Sequence, residues 1–303
     1  MAKTKGDLEE KLKEIERIEE WGESKLGLPK SNNFRSYDGK LMTYHLVYYT
    51  HPLRLPTYYW DMGRKNFEEE KNAIKFKREA ESKGYDVHYR TSEALAGKPE
   101  ISNYLLEKSM ARKAYTVFHE NMHNHIWMTN KIKQLVDLEE ACANIAGYYG
   151  AKEYTLEMFG KDSTEYEEST WGIKEKIKKD RLVIKYYQKL DNLLKLKIPE
   201  NQKLLRKEKL LAEFVNKKSI LLGYEVSPQN NASFASDITY SRYMPLVRKV
   251  YHKTRRTKKA IQVFKTMSEI VDVHVKSYDK ISKSQTDDAK ELCLMYLESY
   301  IDS

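Results

Sequence analysis

The sequence predicts a mixed α+β fold that is predominantly helical, and three observations support it. Apolar residues recur at helical spacing over most of the 303 residues. Segments with strand patterning are confined to one stretch, residues 41–91. Charged residues make up 33% of the chain and hydrophobic residues 40%. That balance is typical of a soluble protein rich in helices, and no apolar run is long enough to cross a bilayer.

The first predicted element is an amphipathic helix over residues 1–20. Its apolar positions alternate with acids and lysines at helical spacing, and they are Leu8, Leu12, Ile15 and Ile18. The basic start of the segment is not followed by an apolar core, so we do not expect a secretion signal and predict a cytoplasmic location. The sequence Leu-Gly-Leu-Pro at residues 26–29 is predicted to end this helix.

A small β-sheet is predicted next, from strands at residues 41–50, 57–62 and 86–91. The first of these strands is apolar at most positions on both of its faces, which indicates that both faces are covered. A helix is predicted between the strands, over residues 67–82, with Gly84 as its C-terminal cap.

The most informative segment is a helix predicted over residues 102–128, which carries His-Glu-Asn-Met-His at residues 119–123. Residues four apart stack on one face of a helix, so His119 and His123 can bind the same metal ion. Glu120 projects about 100° round the helix from His119, where it can take a proton from a bound water. The pattern H-E-x-x-H indicates metal-assisted hydrolysis of an amide bond. The alternative is a solvated helix with two histidines by chance, and the apolar residues on the same face argue against it.

A third ligand is expected from a neighbouring element, because a catalytic zinc ion takes three protein ligands and leaves one position for water. Glu140 lies in the next predicted helix, where Ala143, Gly147 and Ala151 form a ridge of small residues at a spacing of four. Such a ridge allows two helices to approach closely. We therefore predict Glu140 as the third metal ligand; the alternative is an ordinary acid on an exposed helix face.

The neighbours of Glu140 receive different interpretations. Asn144 lies one turn later on the same face, where it can hydrogen-bond a metal ligand without binding the metal itself. Glu139 is interpreted as an ordinary acid on an exposed face. Cys142 points away from the target of Glu140, and the only other cysteine is Cys293. Both cysteines are predicted to be reduced and buried rather than bound to metal.

The chain from about residue 164 onward is predicted to be nearly all helical, with a helical hairpin that turns at Ile198-Pro199 and a polar loop over residues 223–236. The predicted division is a catalytic region at residues 1–160 and a helical region at residues 161–303.

The net charge of +9 raises the possibility of nucleic-acid binding. The lysines, however, interleave with apolar residues at helical spacing, which favours a solvated helix face.

These segments together resemble the bacterial putative aminopeptidase family, predicted zincin metallopeptidases of the glutamate-ligand (gluzincin) type. The resemblance runs from about residue 26 to residue 267, and its motifs follow in the same order. They are Leu-Gly-Leu-Pro at 26–29, Gly-Tyr-Asp-Val at 84–87, Phe-His-Glu-Asn-Met-His at 118–123, Glu-Ala-Cys-Ala at 140–143 and Asn-Asn-Ala-Ser-Phe-Ala at 230–235. The export signal and the cysteine pair that members of the family usually carry are missing here, which fits a cytoplasmic location.

The resemblance implies a zincin-like fold with a small N-terminal sheet and a helical C-terminal region. It implies that His119, His123 and Glu140 bind one Zn²⁺ ion and that Glu120 is the general base. The implied substrate is a peptide or protein. An aminopeptidase also needs a group, usually a carboxylate, that binds the free α-amine, and the sequence assigns none.

Three further residues are candidates for contact with the substrate. A tetrahedral oxyanion needs a donor besides the zinc ion, and the phenol of Tyr240 can supply one; the alternative is that Tyr240 only packs. Asn230 and Asn231 can hold the substrate backbone; the alternative is that they are turn residues after Pro228.

Two classes of function stay open at this point. The first is a zinc-dependent peptidase, and the second is a non-catalytic protein of zincin fold that binds or scaffolds a partner. The intact Glu120 favours the first class, because a purely structural metal site has no use for a base.

Overall fold

The protein is mostly helical in a computed structural model, which describes residues 5–55, 62–129, 135–274 and 283–303. The helices of these residues are α1 (Lys5–Trp21), α2 (Glu70–Ser82), α3 (Asn103–Leu106), α4 (Met110–Thr129), α5 (Val136–Phe159), α6 (Thr164–Lys195), α7 (Glu200–Leu222), α8 (Asn231–Thr239), α9 (Met244–Thr254), α10 (Thr257–His274) and α11 (Lys283–Asp302). Strands β1 (Tyr44–Thr50), β2 (Gly63–Phe67) and β3 (Asp86–Ser92) form an antiparallel sheet in the order β2-β1-β3. The predominantly helical α+β fold is therefore confirmed.

The central strand β1 is buried on both faces, as its sequence predicted. One face of the sheet packs on α2 through a small apolar cluster of Val47, Ala73, Ala80 and Val87. Gly84 has a φ of +81°, the left-handed conformation expected of the residue that ends α2.

Two of the predicted elements, a strand and a helix, follow β1 in the sequence. The strand predicted at residues 57–62 lies outside the described residues except for Met62. The helix predicted from residue 67 begins at Glu70 instead, because Phe67 still pairs with His45 at the end of β2.

The chain divides into two compact units that alternate along the sequence. The first consists of Met1–Thr43, Glu93–Ile173 and Tyr243–Ser303, and the second consists of Tyr44–Ser92 and Lys174–Arg242. Compact units of this kind bury cores of their own. The division into regions 1–160 and 161–303 stays a prediction.

The core of the first unit brings α1, α4 and α5 together through aromatic side chains. The ring of Trp21 lies 5.6 Å from that of Phe118 and 5.4 Å from that of Tyr154, measured between centroids. A π-helical segment (Gly22–Leu26) continues α1 and ends at Gly27, which has a φ of +73°. The predicted end of the first helix is thereby confirmed.

The single helix predicted over residues 102–128 is wrong at its start, where the chain forms two helices, α3 and α4. Ser102 Oγ accepts a hydrogen bond from the backbone N–H of Leu105 at 3.1 Å, and Ser109 Oγ accepts one from that of Arg112 at 3.3 Å. Each serine therefore caps a separate helix, and the chain leaves the helical path between them. The part of the prediction that carries the histidine motif is continuous in α4.

The second unit contains the predicted helical hairpin, formed by α7 and the part of α6 that follows residue 173. Helix α6 ends at Lys195 and α7 begins at Glu200, directly after Pro199. The two helices and α8 share an apolar core, which consists of Val183, Tyr186, Leu190, Leu211, Phe214, Phe234 and Ile238.

The polar loop predicted over residues 223–236 is wrong from residue 231 onward, where α8 begins. The Asn230 side chain accepts a hydrogen bond from the Ser233 N–H at 3.0 Å, and Ser233 Oγ accepts one from the Asn230 N–H at 2.8 Å. This reciprocal capping box starts a helix.

Among the helices that the structure describes, none has the length and apolar character required to span a bilayer.

Candidate metal centre

Helix α4 presents His119 and His123 side by side in the interior of the first unit. Only 6% of His119 and 5% of His123 is exposed. Their Nε2 atoms lie 3.3 Å apart, and the two rings meet at an angle of 80°. The spacing of four residues therefore directs both imidazoles to one place, as helical geometry predicts.

Glu140 reaches the same place from α5. Its Oε2 atom lies 3.2 Å from His119 Nε2 and 3.3 Å from His123 Nε2, and 5% of the residue is exposed. Within the described ranges, this is the one group of three His, Cys, Asp or Glu side chains whose donor atoms come within 4.8 Å of one another. The three predicted ligands are thus brought together.

The donor atoms fit a tetrahedral metal ion in both spacing and chemistry. An ion with metal–ligand distances of about 2.0–2.1 Å in tetrahedral geometry holds its ligand atoms about 3.3–3.4 Å apart. The observed separations of 3.2, 3.3 and 3.3 Å match that edge length. Two imidazoles and one carboxylate are a ligand set found in catalytic zinc sites with an open position. The His119, His123 and Glu140 group can therefore hold a metal ion.

The electrostatics of the group favour a positive charge at its centre. Burial lowers the pKa of His123, but the Glu140 carboxylate outweighs burial and raises the pKa to about 9, with smaller contributions from Glu120 and Glu139. Burial also disfavours the charged form of Glu140, yet His123 and His119 hold the pKa of this carboxyl well below its usual range. Such mutual shifts are expected of a carboxylate that is buried against two imidazoles.

The close approach of α4 and α5 depends on the small-residue ridge. A Cβ atom at Gly147 would lie 2.8 Å from Tyr115 Cδ2 and 3.0 Å from the Tyr115 carbonyl oxygen, distances that real Cβ atoms do not tolerate. The predicted role of Gly147 in letting the carboxylate of Glu140 reach the histidines is therefore supported by the packing.

Glu120 follows His119 on α4 and is half-buried, whereas the three donor residues are buried. Its carboxylate contributes to the raised pKa of His123, so it acts electrostatically on the same cluster. A carboxylate at the edge of the cluster with access to solvent can exchange a proton with water there.

The prediction that Glu139 is exposed is wrong, since only 3% of it is accessible. Burial raises the pKa of Cys293 to about 12, and the charge of Glu139 adds to this shift. Burial and then Cys293 raise the pKa of Cys142, and Glu139 again adds to the shift, so Glu139 lies near both cysteines. Both cysteines are buried and free, as predicted. Glu139 and Glu140 therefore face different surroundings, as neighbouring residues of one helix do.

A sequence model of the putative aminopeptidase family matches residues 1–278, which is most of the chain. The chain belongs to this family. No curated protein matches it, and no solved structure matches it. The family match includes both helices of the metal centre and ends before α11 begins at Lys283.

Tyr115 is the residue of this family member's site that the sequence interpretation missed. Its hydroxyl donates to Asn144 Oδ1 at 2.7 Å and lies 3.5 Å from His119 Nδ1. Asn144 is therefore connected to His119 through Tyr115, and its predicted hydrogen bond to a ligand stays a prediction. The position of Tyr115, four residues before His119, is a signal for this contact, because residues four apart lie on the same face of a helix.

Tyr240 lies in the second unit, where it follows α8. Its hydroxyl accepts a hydrogen bond from Arg90 Nη2 at 2.8 Å, and the Arg90 guanidinium lies 5.0 Å from the centre of its ring. Lys176 Nζ donates to its carbonyl oxygen at 2.8 Å. These contacts fix the phenol in place, and its role towards a substrate stays a prediction.

Asn230 and Asn231 also belong to the second unit, and both are engaged with their own chain. Asn230 caps α8, and its Nδ2 atom donates to the Val87 carbonyl at 2.8 Å. Asn231 is fully buried, and its Nδ2 atom donates to the carbonyl of Pro52 at 2.8 Å. The two residues join α8 to β3 and to the loop after β1. Their predicted contact with a substrate is not tested by these bonds.

Proposed function

We propose that the chain is a zinc-dependent peptidase in which His119, His123 and Glu140 hold one Zn²⁺ ion. The observation that carries the proposal is the buried triangle of donor atoms with edges of 3.2–3.3 Å. A buried carboxylate needs a positive partner, and a metal ion held between Glu140 and the two imidazoles can supply it. The family to which the chain belongs gives the class of reaction, the hydrolysis of peptide bonds.

Zinc is the metal that suits this donor set best. Imidazole nitrogen favours zinc and the later transition metals, whereas calcium and magnesium take oxygen ligands almost exclusively. Three protein ligands leave one position of a tetrahedral zinc ion open, as in catalytic sites. A bound zinc ion supplies Lewis acidity and a water of lowered pKa, about 7.

Glu120 is the general base in this proposal. Its carboxylate takes a proton from the attacking water and delivers that proton to the amine that leaves. A general base must be reachable by water and lie close to the ligands. Glu120 meets the first condition because it is half-buried, and its effect on the pKa of His123 agrees with the second. Tyr240 is kept as the proposed donor to the oxyanion.

The fold in this proposal is zincin-like, of the gluzincin type. Its two features are a helix with H-E-x-x-H and a second helix that supplies a glutamate ligand. Helices α4 and α5 correspond to these two elements, and the small sheet accompanies them.

The proposal is tested by the substitution Glu120→Gln, which keeps the shape of the side chain and removes the base. The variant should retain its zinc and lose most hydrolysis of a peptide library, by about 100-fold or more. Glu157→Gln is the matched control, since Glu157 lies on α5 and pairs with Lys25 at the surface. Full activity of the zinc-loaded Glu120→Gln variant would place the base elsewhere.

Each peptide in the library is offered with a free and with an acetylated N-terminus. An aminopeptidase should cleave only the free form, because it must bind the α-amine. Equal cleavage of both forms would contradict the aminopeptidase assignment but not the role of the metal ion in hydrolysis.

A further inference from the structure

Tyr115 links the metal ligand His119 to the second metal helix. It precedes His119 by one turn of α4, and its ring stacks on the imidazole with centroids 5.4 Å apart at 29°. Its hydroxyl donates to Asn144 Oδ1 on α5 at 2.7 Å, and it lies 3.5 Å from His119 Nδ1. The contact with Asn144 is a strong hydrogen bond, and the longer contact with His119 is a weak one.

The direction of these hydrogen bonds determines the tautomer of His119. A phenol has one proton, and Tyr115 gives that proton to Asn144. Its oxygen can then only accept from His119 Nδ1, which must carry the imidazole proton. The lone pair of His119 is left on Nε2, the atom that lies 3.2 Å from Glu140 and 3.3 Å from His123.

We propose that Tyr115 is a positioning residue that holds His119 in the Nδ1–H tautomer, with Asn144 fixing the direction of the phenolic proton. The inference rests on the proposed function, because an orienting contact matters only if His119 binds a metal. A ligating histidine generally needs such a partner on its other nitrogen.

The ring of Tyr115 is held on several sides, so it can impose an orientation. Gly147 brings the backbone of α5 against it. The ring of Tyr148 lies 4.5 Å away between centroids, and the Arg112 guanidinium lies 4.5 Å from the centre of the Tyr115 ring. Arg112 is itself fixed by a bifurcated hydrogen bond from its Nε–H to the two carboxylate oxygens of Glu93, at 2.8 and 3.0 Å.

The substitution Tyr115→Phe tests the inference, because it removes the hydroxyl and keeps the ring. Zinc affinity of the full chain is measured by competition with a chromophoric chelator. We expect Tyr115→Phe to weaken it by about 10- to 100-fold, the usual effect of losing a partner of a ligand. Tyr154→Phe is the matched control, since Tyr154 is a buried tyrosine of α5 whose ring packs on Phe118 of α4. The control should stay within about twofold of the wild type, since it leaves the ligands and their partners intact.

A double-mutant cycle with Asn144→Ala separates positioning from general damage to the packing. Asn144→Ala frees the phenolic proton to turn to His119 Nδ1, so by itself it should weaken zinc affinity. In the Tyr115→Phe background the same change should have little further effect, because Asn144 acts through the hydroxyl. Additive losses would overturn the inference.

A second measurement needs no variant. The ¹⁵N chemical shifts of the His119 ring in the metal-free wild type report which nitrogen carries the proton before an ion binds, and we expect Nδ1–H. A proton on Nε2 in the metal-free protein, or unchanged affinity in Tyr115→Phe while the wild type binds zinc, would overturn the role of Tyr115 and leave the metal site standing. Failure of the wild type to bind zinc would instead overturn the proposed function and this inference with it.

Discussion

Gly147 on α5 lies directly against Tyr115 on α4, with no room between them for a methyl group. This contact sets the distance between the helix that carries the two histidines and the helix that carries Glu140. The metal centre therefore depends on a residue that has no side chain and no chemistry of its own.

The first prediction concerns this contact. Gly147→Ala should destabilise the protein by about 1–3 kcal/mol, because the added methyl group must displace Tyr115 or the backbone of α4. Zinc affinity should fall as well, since the displaced elements carry the ligands. Gly172→Ala is the control: it lies within α6, and its Cβ would meet Tyr148 at an ordinary 3.6 Å. At that position the free energy of unfolding should rise by about 0.5–1 kcal/mol, the usual stabilisation when alanine replaces glycine in a helix. Urea unfolding measures both, and equal effects at the two positions would contradict the account.

The second prediction separates the two adjacent acids of α5. Glu140→Gln should reduce zinc affinity by more than about 100-fold. The loss of a residue that only hydrogen-bonds a ligand already reduces metal affinity by about 10- to 100-fold, and the loss of a ligand should cost more. Glu139→Gln should change zinc affinity by less than about threefold, although burial of this residue makes a loss of stability expected. Competition with a chelator measures both variants. Loss of zinc in Glu139→Gln with retention in Glu140→Gln would show that the register of α5 is wrong by one residue.

The sequence predicted that His119, His123 and Glu140 lie together, because its signals are local. The spacing of His119 and His123 on one helix and the small-residue ridge beside Glu140 both depend on helical period alone. Burial of Glu139 depends instead on what covers the other side of α5, and no pattern within that helix reveals a distant neighbour. Residues 231–236 were predicted as a loop although they begin α8, because Asn230 is equally typical of a turn and of a helix N-cap.

The third prediction concerns Tyr240. If its phenol donates to the oxyanion, Tyr240→Phe should lower kcat by about 100- to 1000-fold with little change in KM. Tyr187→Phe is a matched control in the same unit. The Tyr187 hydroxyl also accepts from an arginine, Arg242, at 2.9 Å, and that guanidinium also lies 5.0 Å from the ring centre. Equal kinetic effects of the two substitutions would assign Tyr240 a structural role only.

The fourth prediction is a dependence of stability on pH that originates in the second unit. Burial and the nearby Arg90 lower the pKa of His88 to about 4, although Asp237 opposes the shift. An unfolded histidine has a pKa of about 6.5, so between these values the unfolded chain binds a proton that the folded chain does not. The contribution of His88 to stability is therefore present above about pH 6.5 and is lost as the pH falls towards 4. The loss amounts to up to about 3 kcal/mol, at about 1.4 kcal/mol for each pKa unit.

His88→Gln should reduce the slope of unfolding free energy against pH in this window. The same substitution at His252, which is exposed, should leave the slope unchanged. A series of urea unfolding curves between pH 4 and pH 7 measures it, and an unaltered slope in His88→Gln would contradict the assignment.

The central claim is that one metal ion is held by His119, His123 and Glu140, and metal analysis of the purified chain after equilibration with zinc and gel filtration tests it most directly. The wild type should contain about one zinc ion per chain, as expected for a site with three ligands. His123→Ala should contain almost none, whereas His125→Ala should keep the full amount, because residue 125 lies about 200° round α4 from residue 123. Full zinc occupancy in His123→Ala, or a wild type that retains no zinc, would contradict the account.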